Sequence, residues 1–327
     1  MDEPWPDPPM PVPPPRRPET PRHAVLGPVM AVVVTYKSAA GLEARLARLT
    51  TQVDAVVVVD NGSGLDTVAE LRAVAGRLAL SLILNPDNRG LAVAQTQGMA
   101  AALAAGFAWV LLMDDDSTPA PDMVAELARV ESLRPGVFGL LAPRLRYPES
   151  GRVPGFITEH GRGLWPRKRP APESGLLADP AFVIASGSLV RAEAARAVGP
   201  MRADFFIDYL DVEYCFRLRA AGFRLAVVGE AVLDHALGRQ TAHRVLGRTV
   251  WCSNHAPFRC HAMARNRLRL WREWGWRHPG WMAQDMLALA FQLWRVWALE
   301  ADGRAKAAAI LRGLWAGMGL SRRRSPE

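Results

Sequence analysis

Cysteine is scarce in this 327-residue chain. The three that occur, Cys215, Cys252 and Cys260, show neither CxxC spacing nor the histidine partners of a zinc finger. That excludes a disulfide framework and a structural zinc, and makes a reducing cytosol the simplest compartment. Long apolar runs are missing too: no stretch reaches the ~18 uncharged apolar residues needed to span a bilayer. The N-terminus is acidic and proline-rich rather than basic and then apolar, so no secretory leader is expected. Neither GxxxxGK[ST] nor GxGxxG stands at the first strand–helix turn, which argues against a P-loop and a dinucleotide site.

Half of the residues are hydrophobic, enough for one large core or two modest ones. Net charge is +8 and arginine crowds the last quarter, from Arg259 to Arg324. Such a bias favours anionic partners: nucleic acid, acidic lipid headgroups or phosphorylated substrates.

Residues 1–28 are so rich in proline that neither helix nor central strand can form, and a disordered tail is expected. From Val29 the pattern alternates. Val29–Tyr36, Asp54–Asp60 and Leu80–Leu84 read as buried strands. Ala39–Leu49, Leu65–Leu78 and the stretch near Leu91–Ala105 read as helices between them. Continuous β-branched runs separated by amphipathic helices predict an α/β fold, a doubly wound, mostly parallel sheet. Right-handed crossovers gather the strands' C-terminal ends on one edge, where such sheets bind ligands. Tyr36, Asp60–Ser63, Asn85–Gly90 and Asp114–Asp116 all fall there. Residues 144–174, rich in Gly, Pro and Arg, predict a long loop, either functional or disordered.

Asp114-Asp115-Asp116 end the apolar run Trp109–Met113. Adjacent carboxylates repel, and a hard divalent ion relieves them. The alternative is an acidic cap for the helix that follows Pro119 and Pro121. Asp60 either begins an Asn-Gly turn or offers an acceptor to the imide N–H of uracil or thymine. Asp208, Asp211 and Glu213 place three acids in six positions, more than one helix cap requires; an ionised carboxylate among them could deprotonate a sugar hydroxyl. His235 reads either as a structural histidine or as a neutral imidazole ligand.

Several segments, in order, carry a resemblance. They are Val33–Tyr36, Val59–Ser63, Asn88–Ala92, Leu112–Ser117, Ser186-Gly187, Phe206–Arg217 and Asp234-His235. Over roughly Val29 to Trp274 the chain resembles family 2 glycosyltransferases of the GT-A fold, most of all bacterial rhamnosyltransferases of cell-surface polysaccharide synthesis, with galactofuranosyltransferases as near relatives. The resemblance implies a nucleotide-sugar pocket lined by Thr35, Tyr36, Asp60, Asn88, Gly90, Asp114 and Asp115. It implies Mg²⁺ or Mn²⁺ on Asp114, Asp116 and His235, with Asp116 foremost. Asp211 matches the catalytic base, and Asp208, Glu213 and Gly187 become supporting or acceptor-side residues. Two positions depart from the family pattern. Leu210 replaces the first acid of the ED-type motif, and Gln97 stands where many relatives have Asn. The implied reaction is an inverting, metal-dependent transfer of a sugar from a nucleoside-diphosphate donor, dTDP-rhamnose first and UDP-galactofuranose or another UDP-sugar as the alternative, to a glycan or lipid-linked acceptor. A non-enzymatic nucleotide-sugar or polyanion-binding protein is the distant alternative.

Residues 29–240 form the expected catalytic domain and 241–327 a basic, tryptophan-rich helical region. Met282–Leu299 is apolar on most of its circumference. It reads either as packed helices with solvated arginines or as an interfacial segment on an anionic membrane. No nucleic-acid motif accompanies the charge, so nucleic acid is not expected. The membrane reading puts the protein in the cytoplasm, peripheral on the inner face of the plasma membrane.

Overall fold

A computed structural model describes residues 5–6, 10–37, 41–149, 151, 153–158, 167–236 and 240–319. In chain order the elements are β1 (Val29–Thr35), α1 (Leu42–Thr50), β2 (Ala55–Asp60), α2 (Leu65–Leu78), β3 (Ser81–Leu84), α3 (Leu91–Ala104), β4 (Trp109–Asp114), β5 (Thr118–Pro119), α4 (Met123–Leu133), β6 (Phe138–Arg146), β7 (Gly155–Thr158), β8 (Arg167–Pro170), β9 (Leu176–Ala178), β10 (Leu189–Arg191), α5 (Ala192–Val198), α6 (Leu210–Ala220), β11 (Arg224–Asp234), β12 (Thr241–Val245), β13 (Arg248–Cys252), α7 (Pro257–Trp274), α8 (Pro279–Leu299) and α9 (Gly303–Met318). The chain divides into two compact units. One holds Met1–Thr158, Lys168–Phe206 and Leu210–Ala236; the other holds Glu159–Arg167, Ile207–Tyr209 and Leu237–Glu327.

The first unit is built on a sheet of order β3-β2-β1-β4-β10-β6-β11-β5, with β9 also on β11. Strands β3, β2, β1 and β4 run parallel, as the alternation of β-branched runs and helices predicts. Strand β10 enters antiparallel between β4 and β6, and β11 resumes the common direction beside β6. All seven residues of β1 are buried, because its neighbours cover both edges and helices cover both faces. Trp109, Leu111 and Met113 on β4 pack in the same core as Val29, Ala31 and Val33 on β1.

The prolines of the N-terminal segment do not leave all of it free. Val12 lies between two prolines but keeps its own N–H and C=O, and exchanges two backbone hydrogen bonds of 2.9 and 3.0 Å with Leu82 on β3. Asp54 then holds the segment from the other side, accepting from the amides of Arg22 at 2.7 Å and Val29 at 2.8 Å. Val12 is therefore paired to the edge strand β3, and Arg22 and Val29 are tied to Asp54, in and just after a segment that the sequence predicts to be disordered.

Part of the predicted loop 144–174 is extended, as β7 and β8, while Gly161–Pro166 lies outside the described residues. In the second unit the predicted helices are preceded by an antiparallel hairpin, β12–β13, in register from Thr241↔Cys252 to Val245↔Arg248. Arg322–Arg324, the end of the basic run, also lies outside the described residues.

Leu111 is fully buried at the centre of β4, whereas Leu65 at the start of α2 is exposed. Leu111→Ala should cost about 2–5 kcal/mol in denaturant unfolding. Leu65→Ala should cost less than about 0.5 kcal/mol.

Candidate functional site

The ends of β1, β2 and β4 share one edge of the sheet, because parallel pairing sets Thr35 against Asp60 and Val34 against Asp114. At the end of β4, ligand atoms of Asp114, Asp116 and His235 all lie within 4.8 Å of one another. His235 arrives there from β11, whose last residues pair with β5 just after Asp116. Its backbone N–H donates to Arg146 O at 3.0 Å. A chain of hydroxyls supports the group. Ser117 Oγ sits 2.7 Å from His235 Nδ1, Ser186 Oγ donates to Ser117 Oγ at 2.9 Å, and the Asp114 amide donates to Ser186 Oγ at 3.2 Å. Burial lowers the His235 pKa, against the attraction of Asp116, so the imidazole is held neutral. Two carboxylates and a neutral imidazole at this spacing suit a divalent ion of the Mg²⁺ or Mn²⁺ class, with mixed oxygen and nitrogen ligands.

Asp115 turns elsewhere. Its Oδ2 accepts from Thr35 Oγ1 at 2.9 Å and its carbonyl from Arg45 Nε at 2.6 Å. Burial pushes its carboxyl pKa up, opposed by the Thr35 hydroxyl. Tyr36 is exposed beside it.

The β2 and β3 ends are joined by side-chain amides. Asn85 and Gln97 exchange reciprocal bonds of 2.9 Å, Asn85 also donates to Asn61 Oδ1 at 3.1 Å, and Asn61 donates to Asn88 Oδ1 at 3.0 Å. Gln97, the departure from the family's usual Asn, thus reaches across to Asn85. Asp60 is fully buried and accepts from the Ser63 hydroxyl and from the amides of Gly62 and Ser63. These bonds fix the turn after β2. The sequence places Asn61 and Asn85 at the ligand edge and Ser117 and Ser186 within motif segments but assigns them no role of their own, since a turn-forming Asn or Ser looks the same whether or not it braces a site.

Gly90 has φ +88°, and a Cβ there would come 2.6 Å from the Phe206 ring. The close approach lets Phe206 O accept from the Leu91 amide at 2.6 Å, which caps α3 in place of a side chain. Gly187 has φ +81° and would crowd Pro143 at 2.6 Å; its amide donates to Leu112 O at 2.7 Å, turning the chain from Ser186 into β10.

Asp211 stands in the first turn of α6, half-buried, with Oδ1 accepting from the Val212 amide at 2.9 Å. It lines a small cavity with Leu112, Val183, Ala185 and Cys215. Leu112 lies two residues before Asp114 on β4, and Ala185 precedes Ser186. Glu213 is buried and engaged by Arg217 Nε at 2.9 Å to each oxygen. Asp208 is held bidentately by Arg259 at 2.8 and 2.8 Å.

The mostly parallel sheet with helices between its strands is the fold of GT-A glycosyltransferases. Solved structures share the fold. S. aureus TarS 1-349 in complex with UDP-GlcNAc gives a TM-score of 0.55 at 14% identity, over 88% of this chain and 81% of that one. The mannosyltransferase PcManGT from Pyrobaculum calidifontis, in complex with GDP-Man and Mn²⁺, gives 0.51 at 18%, over 93% and 88%. The family model for glycosyl transferase family 2 matches residues 30–139. Galactofuranosyltransferase GlfT1 of Mycobacterium tuberculosis (strain ATCC 25618 / H37Rv) is 32% identical over 227 residues, covering 64% of this chain and 70% of that protein. The dTDP-rhamnosyl transferase RfbF of Shigella flexneri is 26% identical over 261 residues, covering 75% and 80%. The chain belongs to glycosyl transferase family 2 and is a glycosyltransferase.

Gln97→Leu should leave one side of the buried Asn85 amide unpaired and cost about 1–3 kcal/mol in thermal unfolding. Cys215 donates weakly to Val183 O, and burial pushes its thiol up to about 12. It should resist alkylation in the folded protein and react readily in denaturant. An unfolded thiol ionises near 9.0. Stability from this group is therefore complete below that pH and is lost as pH rises towards 12, which unfolding curves across the alkaline range would register.

Proposed function

We propose that the chain transfers rhamnose from dTDP-rhamnose, with inversion, to a glycan or lipid-linked acceptor in surface polysaccharide assembly. The observation that carries the metal-dependent part is the convergence of Asp114, Asp116 and His235 within 4.8 Å at the strand-end edge of a family 2 fold. The likeness to RfbF over three quarters of the chain favours the rhamnosyl donor. A second reading, a galactofuranosyl donor, draws on the higher identity to GlfT1 over a shorter span.

Asp211 takes the proton from the acceptor hydroxyl as that oxygen attacks the anomeric carbon, and the bond to the diphosphate breaks on the opposite face. One displacement inverts the centre, with no covalent enzyme intermediate. Asp60, Asn88, Gly90, Thr35, Tyr36 and Asp115 cradle the nucleoside side of the donor. Asp114, Asp116 and His235 would hold Mg²⁺ or Mn²⁺, whose charge offsets that on the departing diphosphate. A lipid-linked acceptor would place the protein peripherally on an anionic cytoplasmic membrane face. No described helix is long and apolar enough to cross a membrane.

Incubation with a panel of activated sugars and Mn²⁺ should release dTDP from dTDP-rhamnose; release of UDP alone would transfer the assignment to the second reading. Asp211→Asn should lower turnover by about 10²–10⁴ while calorimetry shows nucleotide binding nearly intact. Strong residual turnover would remove Asp211 as the base.

A further inference from the structure

The second unit shows what the sequence periodicity leaves open: which face of α8 is used inside. Asp285, Leu289, Gln292 and Val296 turn inward, spaced as one helical stripe. Asp285 binds the Tyr209 hydroxyl at 2.8 Å, Arg267 Nε at 3.0 Å and Trp271 Nε1 at 2.8 Å, and Gln292 accepts from Arg267 Nη1 at 2.9 Å. These polar bonds lock the helix about its axis. Every residue that α8 then leaves exposed is apolar, including Met286, Leu287, Phe291, Trp294 and Trp297. Helix α9 packs on α7 and α8 through Ala309, Ile310 and Gly313, and presents Leu311, Trp315 and Met318 outward at helical spacing. Trp297 is 69% exposed and Trp315 75%. Side chains of that size are rarely left to water in such number on neighbouring helices.

Charge indicates what covers this face. Residues 237–327 contain 16 of the 40 basic residues but only 5 of the 32 acidic ones. Among the described residues of this unit, Arg244, Arg248, Arg272, Arg277, Arg304 and Arg312 are exposed, against two exposed acids, Glu273 and Asp302. Arg277 lies over the rings of Trp276 and Trp274, 4.6 and 5.4 Å from their centroids. Apolar helix faces rich in exposed tryptophan, in a unit with an excess of exposed arginine, match the interface of an anionic bilayer, where the helices lie flat. A nucleic acid would use the arginines but leave the exposed face of α8 in water.

We infer that the outward faces of α8 and α9 form a monotopic docking surface for anionic phospholipid, with Met286, Leu287, Phe291, Trp294, Trp297 and Trp315 entering the headgroup–acyl boundary. The inference deepens the proposed membrane location but requires neither the donor nor the metal.

The full chain should float with vesicles of equal parts phosphatidylcholine and phosphatidylglycerol, bind far less to phosphatidylcholine alone, and lose affinity as salt rises. Trp297→Ser with Trp315→Ser should weaken vesicle binding at least about tenfold. Circular dichroism should remain unchanged, because both sites are exposed; Trp297→Phe with Trp315→Phe should retain most binding. Equal affinity for neutral vesicles, vesicle binding indifferent to the serine pair, or a self-associated chain that the serine pair dissociates without any lipid binding would each overturn the inference. The assay contains no sugar nucleotide, so such a failure leaves the transferase reading standing; failure of nucleotide release leaves the docking surface standing.

Discussion

Bringing Asp114, Asp116 and His235 within 4.8 Å at the end of a buried strand is the constraint on which the arrangement of the first unit depends. Like charges at that distance raise the free energy of the ionised state unless a cation or donors face them. The fold supplies hydroxyls from separate segments. Ser117 Oγ donates to Asp116 Oδ1 at 3.4 Å, and Ser186, placed by the Gly187 turn that lets β10 run back along β4, donates to Ser117 Oγ and accepts from the Asp114 amide. The antiparallel strand in an otherwise co-directional sheet therefore has a chemical consequence: it delivers a hydroxyl to the backbone amide of Asp114 while closing the gap between β4 and β6.

The neighbouring strand ends solve a different problem with neutral groups. Asn61, Asn85, Asn88 and Gln97 donate to and accept from one another, and Asp60 spends its oxygens on the turn that follows it. Uncharged amides carry a smaller desolvation penalty than carboxylates, so a lattice of them, buried at Asn61, Asn85 and Gln97 and exposed at Asn88, stiffens the edge without demanding an ion.

The parallel half of the sheet was legible because hydrophobic periodicity is local, and the acid cluster because three adjacent carboxylates are conspicuous. What escaped were features set by distant partners. The two residues of β5 and the three of β10 are too short to show a period, and only β11, β4 and β6 make them strands. Residues 10–28 are proline-rich enough to read as disordered, yet the single amide of Val12 finds an open edge. Gly90 could be marked as part of a motif, but its reason, the Phe206 ring against it, lies more than a hundred residues on. The hairpin at Thr241–Cys252 is short and rich in polar residues, so nothing in its composition outweighs the helical region that follows.

The approach to Asp211 shows how a departure from the family pattern is absorbed. Phe206, Asp208 and Tyr209 all have positive φ, at +58°, +62° and +65°. Such conformations cost of the order of 1–3 kcal/mol each and persist only where surrounding bonds over-determine them. Each has such a bond: Phe206 O caps α3, Asp208 is clamped by Arg259 with its carbonyl on Asn266, and the Tyr209 hydroxyl is shared between Asp285 and Arg267. Leu210 comes next and is 2% exposed. An acid at that position would be buried with the core residues of α6, so its replacement by leucine removes a desolvation cost. Asp208 does not take over as a free second carboxylate, because its two oxygens are bound to Arg259. Glu213 is likewise committed to Arg217. Of the acids in this segment, Asp211 is the one that lines a cavity with Leu112 of β4, which is why the proposed base is Asp211 and does not rest on the density of negative charge around it.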